Sequence, residues 1–373
     1  MTDHQSAPEP TTSQIPIFDG HNDTLLSLDR TGRSFFERSD EGHIDLPRAR
    51  EGGLAGGFFA VFAPDPGVEP DLSDDNAAEE DIDATAVRIS DRYRDPSAMP
   101  PPMSLAYAQS TAMRMIAHLF RLESASNGTA KVVRSAAELR HCLDAGILAM
   151  ELHIEGAEAI DPDLDALEIL YQAGLRSIGI NWSRPNRFGH GVPFAFPSSP
   201  DTGPGLTDLG KALVRGCNQR RILIDLSHLN EQGFWDVAAL SDAPLVATHA
   251  NAHAICPSSR NLTDKQLDAI RDSGGIVGLN FHVGFLRPDG APNPETPMSV
   301  MADHVDYLIE RLGTDKVGFG SDFDGAMMPV AIGDVTGLPH LIDELRGRGY
   351  DDPTLRLIAT DNWVRVLEAT WGE

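Results

Sequence analysis

Cysteine is scarce in this chain. Cys142, Cys217 and Cys256 are the only three among 373 residues, an odd number at wide spacing and without a C-x-x-C pair. A disulfide framework and a thiolate zinc site are both disfavoured, and a reducing compartment fits. Basic residues are outnumbered: 30 Lys and Arg stand against 56 Asp and Glu, a formal net charge of −26. Such a field disfavours nucleic acid and anionic membrane as partners and favours solubility, without bearing on the fold. A solvated acidic surface accounts for it; a medium of high ionic strength is the narrower, less favoured account. No apolar run is long enough to span a membrane, and residues 1–14 are polar, with no apolar signal-peptide core. Ala369–Glu373 offers no hydrophobic tail for a lipid-anchor signal. The expectation is a cytoplasmic protein with a disordered segment at 1–14. Also missing are G-x-x-x-x-G-K-[ST], H-E-x-x-H and G-x-S-x-G. Gly52-Gly53 and Gly56-Gly57 lie before and at the start of a candidate strand instead of following one, so they form no dinucleotide fingerprint.

What is present is a large apolar fraction, 41%, arranged in short runs. Eight read as strands: Ile15–Asp19, Leu54–Ala63, Gly146–His153, Leu175–Asn181, Arg221–Leu226, Pro244–Thr248, Gly275–Asn280 and Lys316–Gly320. Most lack polar alternation, as parallel strands buried on both faces do. Helical patterns fall between many of them. Ser135–Glu138 and Thr263–Gln266 match capping boxes, Asn230 can cap a helix to Leu240, and Met298–Leu312 is a further helix. Helices are also expected near Leu338–Arg348, Pro353–Asp361 and Trp363–Thr370. Strand alternating with helix implies a parallel sheet, and eight strands imply a closed (β/α)8 barrel over residues 15–373 as one catalytic domain. The acidic, then Pro-rich stretch at about 64–104 breaks the rhythm and reads as a loop and helix inserted over one end of the barrel. A second long loop, Pro185–Pro204, could shape the mouth.

Five polar motifs sit at the ends of these runs: Phe18–Asp23, His153–Gly156, Asp225–His228, Thr248-His249 and Gly320–Gly325. In a parallel barrel such ends converge on one mouth. His21 and Asp23, two apart on an extended segment, can reach one cation. The alternative for His21 is a bond within its own loop. Glu155 ends a buried run, where a carboxylate is costly unless paired or bound to metal; Arg176 is the alternative partner. His228 and His249 occupy matching positions on consecutive strands and can meet one ion as neutral imidazoles. Asp322, flanked by Gly320 and Gly325, can serve as a ligand or as a general acid/base. Asp324 is either a site residue or the cap of a turn. Arg260 is equally balanced between a carboxylate receptor and a surface ion pair. His153 is a candidate outer partner of the metal ligands. His190, His253 and His282 are weaker candidates for substrate contact.

Taken together, Asp19–Asp23, Ile154–Gly156, Leu223–His228, His249 through Arg260-Asn261-Leu262, and Val317–Gly325 resemble the membrane (renal) dipeptidase family, the M19 metallopeptidases of the amidohydrolase superfamily. The resemblance runs from about Ile17 to about Ala369. It implies a distorted (β/α)8 barrel, a homodimer and two Zn2+ per chain. One ion would be held by His21 and Asp23, the other by His228 and His249, with Glu155 bridging. Arg260 would bind the substrate's terminal carboxylate, and Asp322 would handle protons for a metal-bridging hydroxide. The chain departs from the family at Asn181-Trp182, where members often carry Thr-His, and at His282, where an aromatic is common. Trp182, His282 and Asp324 are expected as substrate contacts. The activity implied is hydrolysis of small dipeptides with a free C-terminal carboxylate. The alternatives are another amide or lactone hydrolase on this barrel, acting on acyl-amino acids or β-lactams, and a catalytically silent relative that binds a small molecule.

Overall fold

The structure, a computed structural model, describes residues 14–65, 92–95, 99 and 101–372. Segment 1–13 and most of 64–104 therefore lie outside the described residues. Among the described residues nine strands follow in order: β1 (Ile17–Asn22), β2 (Leu54–Phe62), β3 (Ala130–Val133), β4 (Leu148–Glu155), β5 (Ser177–Gly179), β6 (Leu223–Asp225), β7 (Val246–Ala247), β8 (Ile276–Leu279) and β9 (Val317–Phe319). All pair in parallel. Since β2 pairs with β4 and β1 with β9, eight of them close into a barrel.

The eight are those the apolar runs indicate; β3 is the addition. It pairs with Leu148–Glu151, while β5 takes Glu155 and its neighbours along the same edge of β4. Only four residues long and half-exposed at Lys131, β3 has no extended apolar run to mark it.

Helices fill the crossovers: α1 (Thr24–Thr31), α2 (Leu46–Gly52), α3 (Leu105–Ala125), α4 (Ala136–Ala145), α5 (Asp165–Ala173), α6 (Asp208–Arg220), α7 (Glu231–Leu240), α8 (Asp264–Asp272) and α9 (Met298–Leu312). Then come α10 (Leu338–Gly347), α11 (Asp352–Arg356) and, after a π-turn, α12 (Asn362–Trp371). None is long and apolar enough to cross a membrane. The caps are local chemistry. Ser135 accepts from the Glu138 N–H and Asn230 from the Gly233 N–H, each satisfying a helix-start donor. Gln266 reaches back to the Thr263 N–H at 2.9 Å, whereas Glu138 bonds the N–H of Arg134, one residue before the expected cap.

Two apolar clusters result. The larger lies between the outer strand faces and the helices. The smaller gathers Phe18, Phe58, Ala149, Leu223, Val246 and Ile276, one from each of six strands, around Trp363 of α12. Residues of six strands meet only inside a barrel, so this cluster is its floor. Trp363 packs against Phe58 at 5.4 Å and donates to the Phe319 carbonyl at 3.1 Å. Gly20 and Gly318 leave room for the indole, since a Cβ there would lie 2.3 and 2.5 Å from it. Each fully buried large apolar side chain contributes roughly 1.5–3 kcal/mol. Above this floor the barrel interior turns polar. Glu151, His153 and Glu155 alternate along β4 and share one face.

Candidate active site

Each functional side chain is aimed by the end of a strand. The register of β1 against β2 shifts between Asp19 and Asn22, and His21 lies in that irregular stretch. Glu155 is the last residue of β4. His228 and Asp322 lie in the loops after β6 and β9, both in the left-handed region, at φ 64° and 63°. That conformation costs a non-glycine residue on the order of 1–3 kcal/mol and concentrates at functional sites.

These loops bring six expected residues together. Glu155 Oε1 stands 3.1 Å from His228 Nε2, 3.6 Å from His249 Nε2 and 3.8 Å from His21 Nε2. His21 Nε2 is also 3.4 Å from Asp23 Oδ2. Ligand atoms of His21, Asp23 and Asp322 lie within 4.8 Å of one another, and so do those of Glu155, His228 and His249. Glu155 has no pairing with Arg176, which bonds the carbonyls of Arg134, Tyr171 and Leu175.

The electrostatics call for a cation. Burial lifts the Glu155 and Asp23 carboxylates above the ordinary range. Burial opposes protonation of His21, but Glu155, Asp23 and Asp322 outweigh it and hold that imidazole up at about 10. Protons thus collect where cations would neutralise the same charge. Burial, with the nearby charges of Arg260 and His21, pushes His228 and His249 far down, so both offer neutral rings. Both ring nitrogens of His21 are buried without a hydrogen-bond partner, an arrangement rarely left unexplained. An N3O-rich donor set of this kind suits zinc.

A second layer orients these side chains. The Asp225 carboxylate accepts from the Thr248 hydroxyl at 2.6 Å, so the Thr248 oxygen is left to accept from His249 Nδ1 at 2.8 Å. That fixes the proton on Nδ1 and leaves the Nε2 lone pair facing Glu155. Ser183 Oγ lies 2.7 Å from His228 Nδ1. Asp19, pushed up to about 6 by burial, accepts from the Ser321 N–H and hydroxyl and ties β1 to the Asp322 loop. His153 bonds Ser177 at 2.8 Å and faces Asp225 at 3.8 Å. T248V is expected to weaken metal retention about 10- to 100-fold in chelator competition, with T248S near normal. Equal retention in T248V would show that the hydroxyl does not orient His249.

Around the mouth, Arg260 is buried over the Phe285 ring and donates to the His249 carbonyl at 3.0 Å, with its Nε 3.1 Å from His228 Nδ1. It makes no ion pair among the described residues, so the surface-pair reading is set aside. Trp182 packs against Phe62, Tyr93, Phe194 and His228, with Arg184 over its ring. Tyr93 itself bonds Asp65 and, through its carbonyl, the Phe194 N–H. His282 packs edge-on to Phe285 at 4.7 Å and donates from Nδ1 to the Met327 carbonyl. His190 and His253 bond the carbonyls of Gly205 and Ser198.

Asp324 corrects an expectation. It is fully buried, and its Oδ1 accepts from the His43 N–H at 2.6 Å while Arg33 lies 3.5 Å from Oδ2. These contacts tie the carboxylate to two loops from the N-terminal part of the chain.

The model of the membrane dipeptidase family (peptidase family M19) matches residues 8–371. The chain belongs to that family. A Rhodobacter sphaeroides metallopeptidase, solved with a phosphinate mimic of the dipeptide L-Ala-D-Ala, is 50% identical over 96% of this chain and 99% of its own, with a TM-score of 0.87. An uncharacterized Acinetobacter calcoaceticus protein of the PQQ-III 3′ region is 40% identical over 80% of this chain and 90% of its own length. Dipeptidase ataJ of Aspergillus terreus is 28% identical over 95% and 84%. The probable dipeptidase PvdM of Pseudomonas aeruginosa, 22% identical over 96% of both chains with a TM-score of 0.78, shares the fold.

Membership in the M19 family makes the chain a metallo-dipeptidase by class and accounts for the cluster at the strand ends. Asp225, Thr248, Ser183 and Asn280 were given no role from the sequence. Asp225 stands three residues before His228 and Thr248 directly before His249, and that closeness to a His was the available signal.

Proposed function

We propose that this M19 enzyme is a dizinc dipeptidase that cleaves dipeptides bearing a free C-terminal carboxylate. The observation that carries the reading is the convergence of three imidazole Nε2 atoms from three strands on one oxygen of Glu155. His21 and Asp23 would hold one ion, His228 and His249 the other, with Glu155 shared. When bound, such ions would supply acidification of water toward neutral pH and polarisation of the peptide carbonyl.

The chain's own groups supply the rest. Arg260 leaves Nη1 without a protein partner among the described residues, and that donor can take the terminal carboxylate as a charge-assisted bond. A longer peptide lacks a charge at that distance from the scissile bond. Trp182, Phe194 and Phe285 present an aromatic wall beside His228 and Arg260 against which the substrate side chains rest. Asp322 takes a proton from the attacking water and delivers it to the leaving amine. The bound mimic of L-Ala-D-Ala in the Rhodobacter relative supports a dipeptide as substrate. A homodimer and a cytoplasmic location belong to the same reading.

The test is a panel of dipeptides, their C-terminal amides and N-acyl amino acids, assayed with and without chelator. Dipeptides are expected to be cleaved, the amides to be much poorer, and chelator to abolish turnover until zinc is restored. Activity on acyl-amino acids alone would make it a different amide hydrolase. Inactivity with two ions bound would make it a silent relative.

A further inference from the structure

Asn280 follows β8 directly and is fully buried. Its Oδ1 accepts from the His282 backbone N–H at 2.6 Å. A backbone N–H can only donate, so the atom facing it is the oxygen and the amide's orientation is determined. The amide nitrogen then points at Asp322 and donates to its Oδ2 at 2.9 Å. Asn280 cannot turn away. Its backbone N–H donates to Asn251 Oδ1 at 3.1 Å, and its carbonyl accepts from Asn251 Nδ2 at 2.9 Å. Asn251, also buried, reaches the Phe285 carbonyl with the same nitrogen.

Asp322 is held at its backbone as well, donating to the His21 carbonyl at 3.0 Å. With Oδ2 taken, the free oxygen is Oδ1. A Cβ placed on Gly325 would lie 2.0 Å from Asp23 Oδ2 and 3.0 Å from Asp322 Oδ1, so this oxygen is on the Asp23 side of the carboxylate.

We infer that Asn280 is the positioning residue of the proton carrier: it pins Oδ2 of Asp322 and leaves Oδ1 to carry the proton between the attacking water and the leaving amine. The inference rests on the proton-carrier reading of Asp322 given above. In the forward step one water O–H bond breaks and an Oδ1–H bond forms. On collapse the Oδ1–H bond breaks and an N–H bond forms on the departing amine, so the carboxylate returns unchanged. A carboxylate free to rotate would offer either oxygen, and misplacement by about 1 Å can cost about 100-fold in rate.

The decisive variant is N280D. It keeps the side-chain volume and the acceptor for the His282 N–H, and replaces the donor aimed at Asp322 by an oxygen. The assay uses the zinc-loaded enzyme and the best dipeptide of the panel. Expected are a kcat about 100-fold lower, a KM within about threefold, and unchanged zinc content. N280A, which removes the donor without adding charge, should move in the same direction by about 10-fold. Placed in a D322N background, N280D should cost nothing further, because both changes act on one group. A kcat for N280D within about twofold of normal beside an inactive D322N would overturn the inference alone. The same loss in both backgrounds would do so too, by showing a role independent of Asp322. Near-normal turnover of D322N would remove the proton-carrier reading, and the inference with it.

Discussion

Exchange of Glu155 for alanine is expected to leave a chain that no longer retains two divalent ions. One oxygen of Glu155 stands within 3.1 to 3.8 Å of Nε2 atoms supplied by β1 and by the loops after β6 and β7. Without it, His21 with Asp23 and His228 with His249 become separate two-donor sets. Zinc sites ordinarily use three or four protein ligands. Retention should therefore fall by more than the 10- to 100-fold typical of losing an outer partner, with stoichiometry below two and turnover at background. E155Q keeps the shape and loses the charge, and should fail in the same direction. The wild-type enzyme carries a related pH dependence. Burial lifts Glu155 well above the ordinary carboxylate range, so a proton competes with the cation for its oxygens, and retention against chelator weakens as pH falls. Metal analysis after dialysis checks both expectations. Two ions per chain in E155A would end the bridging role.

The framework of this site was legible because of how a parallel barrel is solvated. Strands buried on both faces must be apolar throughout, so runs such as Ile276–Leu279 stand out, and a His or carboxylate just beyond one is conspicuous. β3 was illegible because it is short, half-exposed at Lys131, and paired only to the first half of β4. Glu151 was hidden for a different reason. It sits inside an apolar run and is tolerated there because Ser177 donates to it at 2.8 Å, a contact 26 residues distant in sequence.

The outer layer followed the same rule. Asp225 and Thr248 are 23 residues apart, Asn280 and Asp322 are 42 apart, and polar residues at strand ends have caps as their ordinary explanation. Asp324 was over-read because Asp322-Phe323-Asp324 repeats an acid at a spacing of two. That spacing shares a face only on extended backbone, and both acids here are left-handed. The partners that claim Asp324, Arg33 and His43, come from the opposite end of the chain. Trp182 gave no hint of its setting, since Tyr93 and Phe194 reach it from separate loops.

The D322N variant separates the two jobs a carboxylate can do in this cluster. Asp322 lies close enough to His21 and Asp23 to be a third ligand on that side. It also has one oxygen engaged by Asn280 and the other free. As a ligand, it would take metal content with it when neutralised. As a proton carrier, it would leave the ions in place and remove only the step that moves a proton. An amide of the same size can still accept from Asn280, and so the loop at φ 63° has no reason to rearrange. It cannot accept a proton from water at neutral pH. The expected result is full zinc content, nearly normal KM and a kcat lower by about 10²- to 10⁴-fold, the usual contribution of a general acid/base. Loss of one ion per chain would reassign Asp322 as a ligand. Retained turnover with both ions present would move the proton to another group, for which His282, 7% exposed and with Asp322 among its nearby charges, is a candidate.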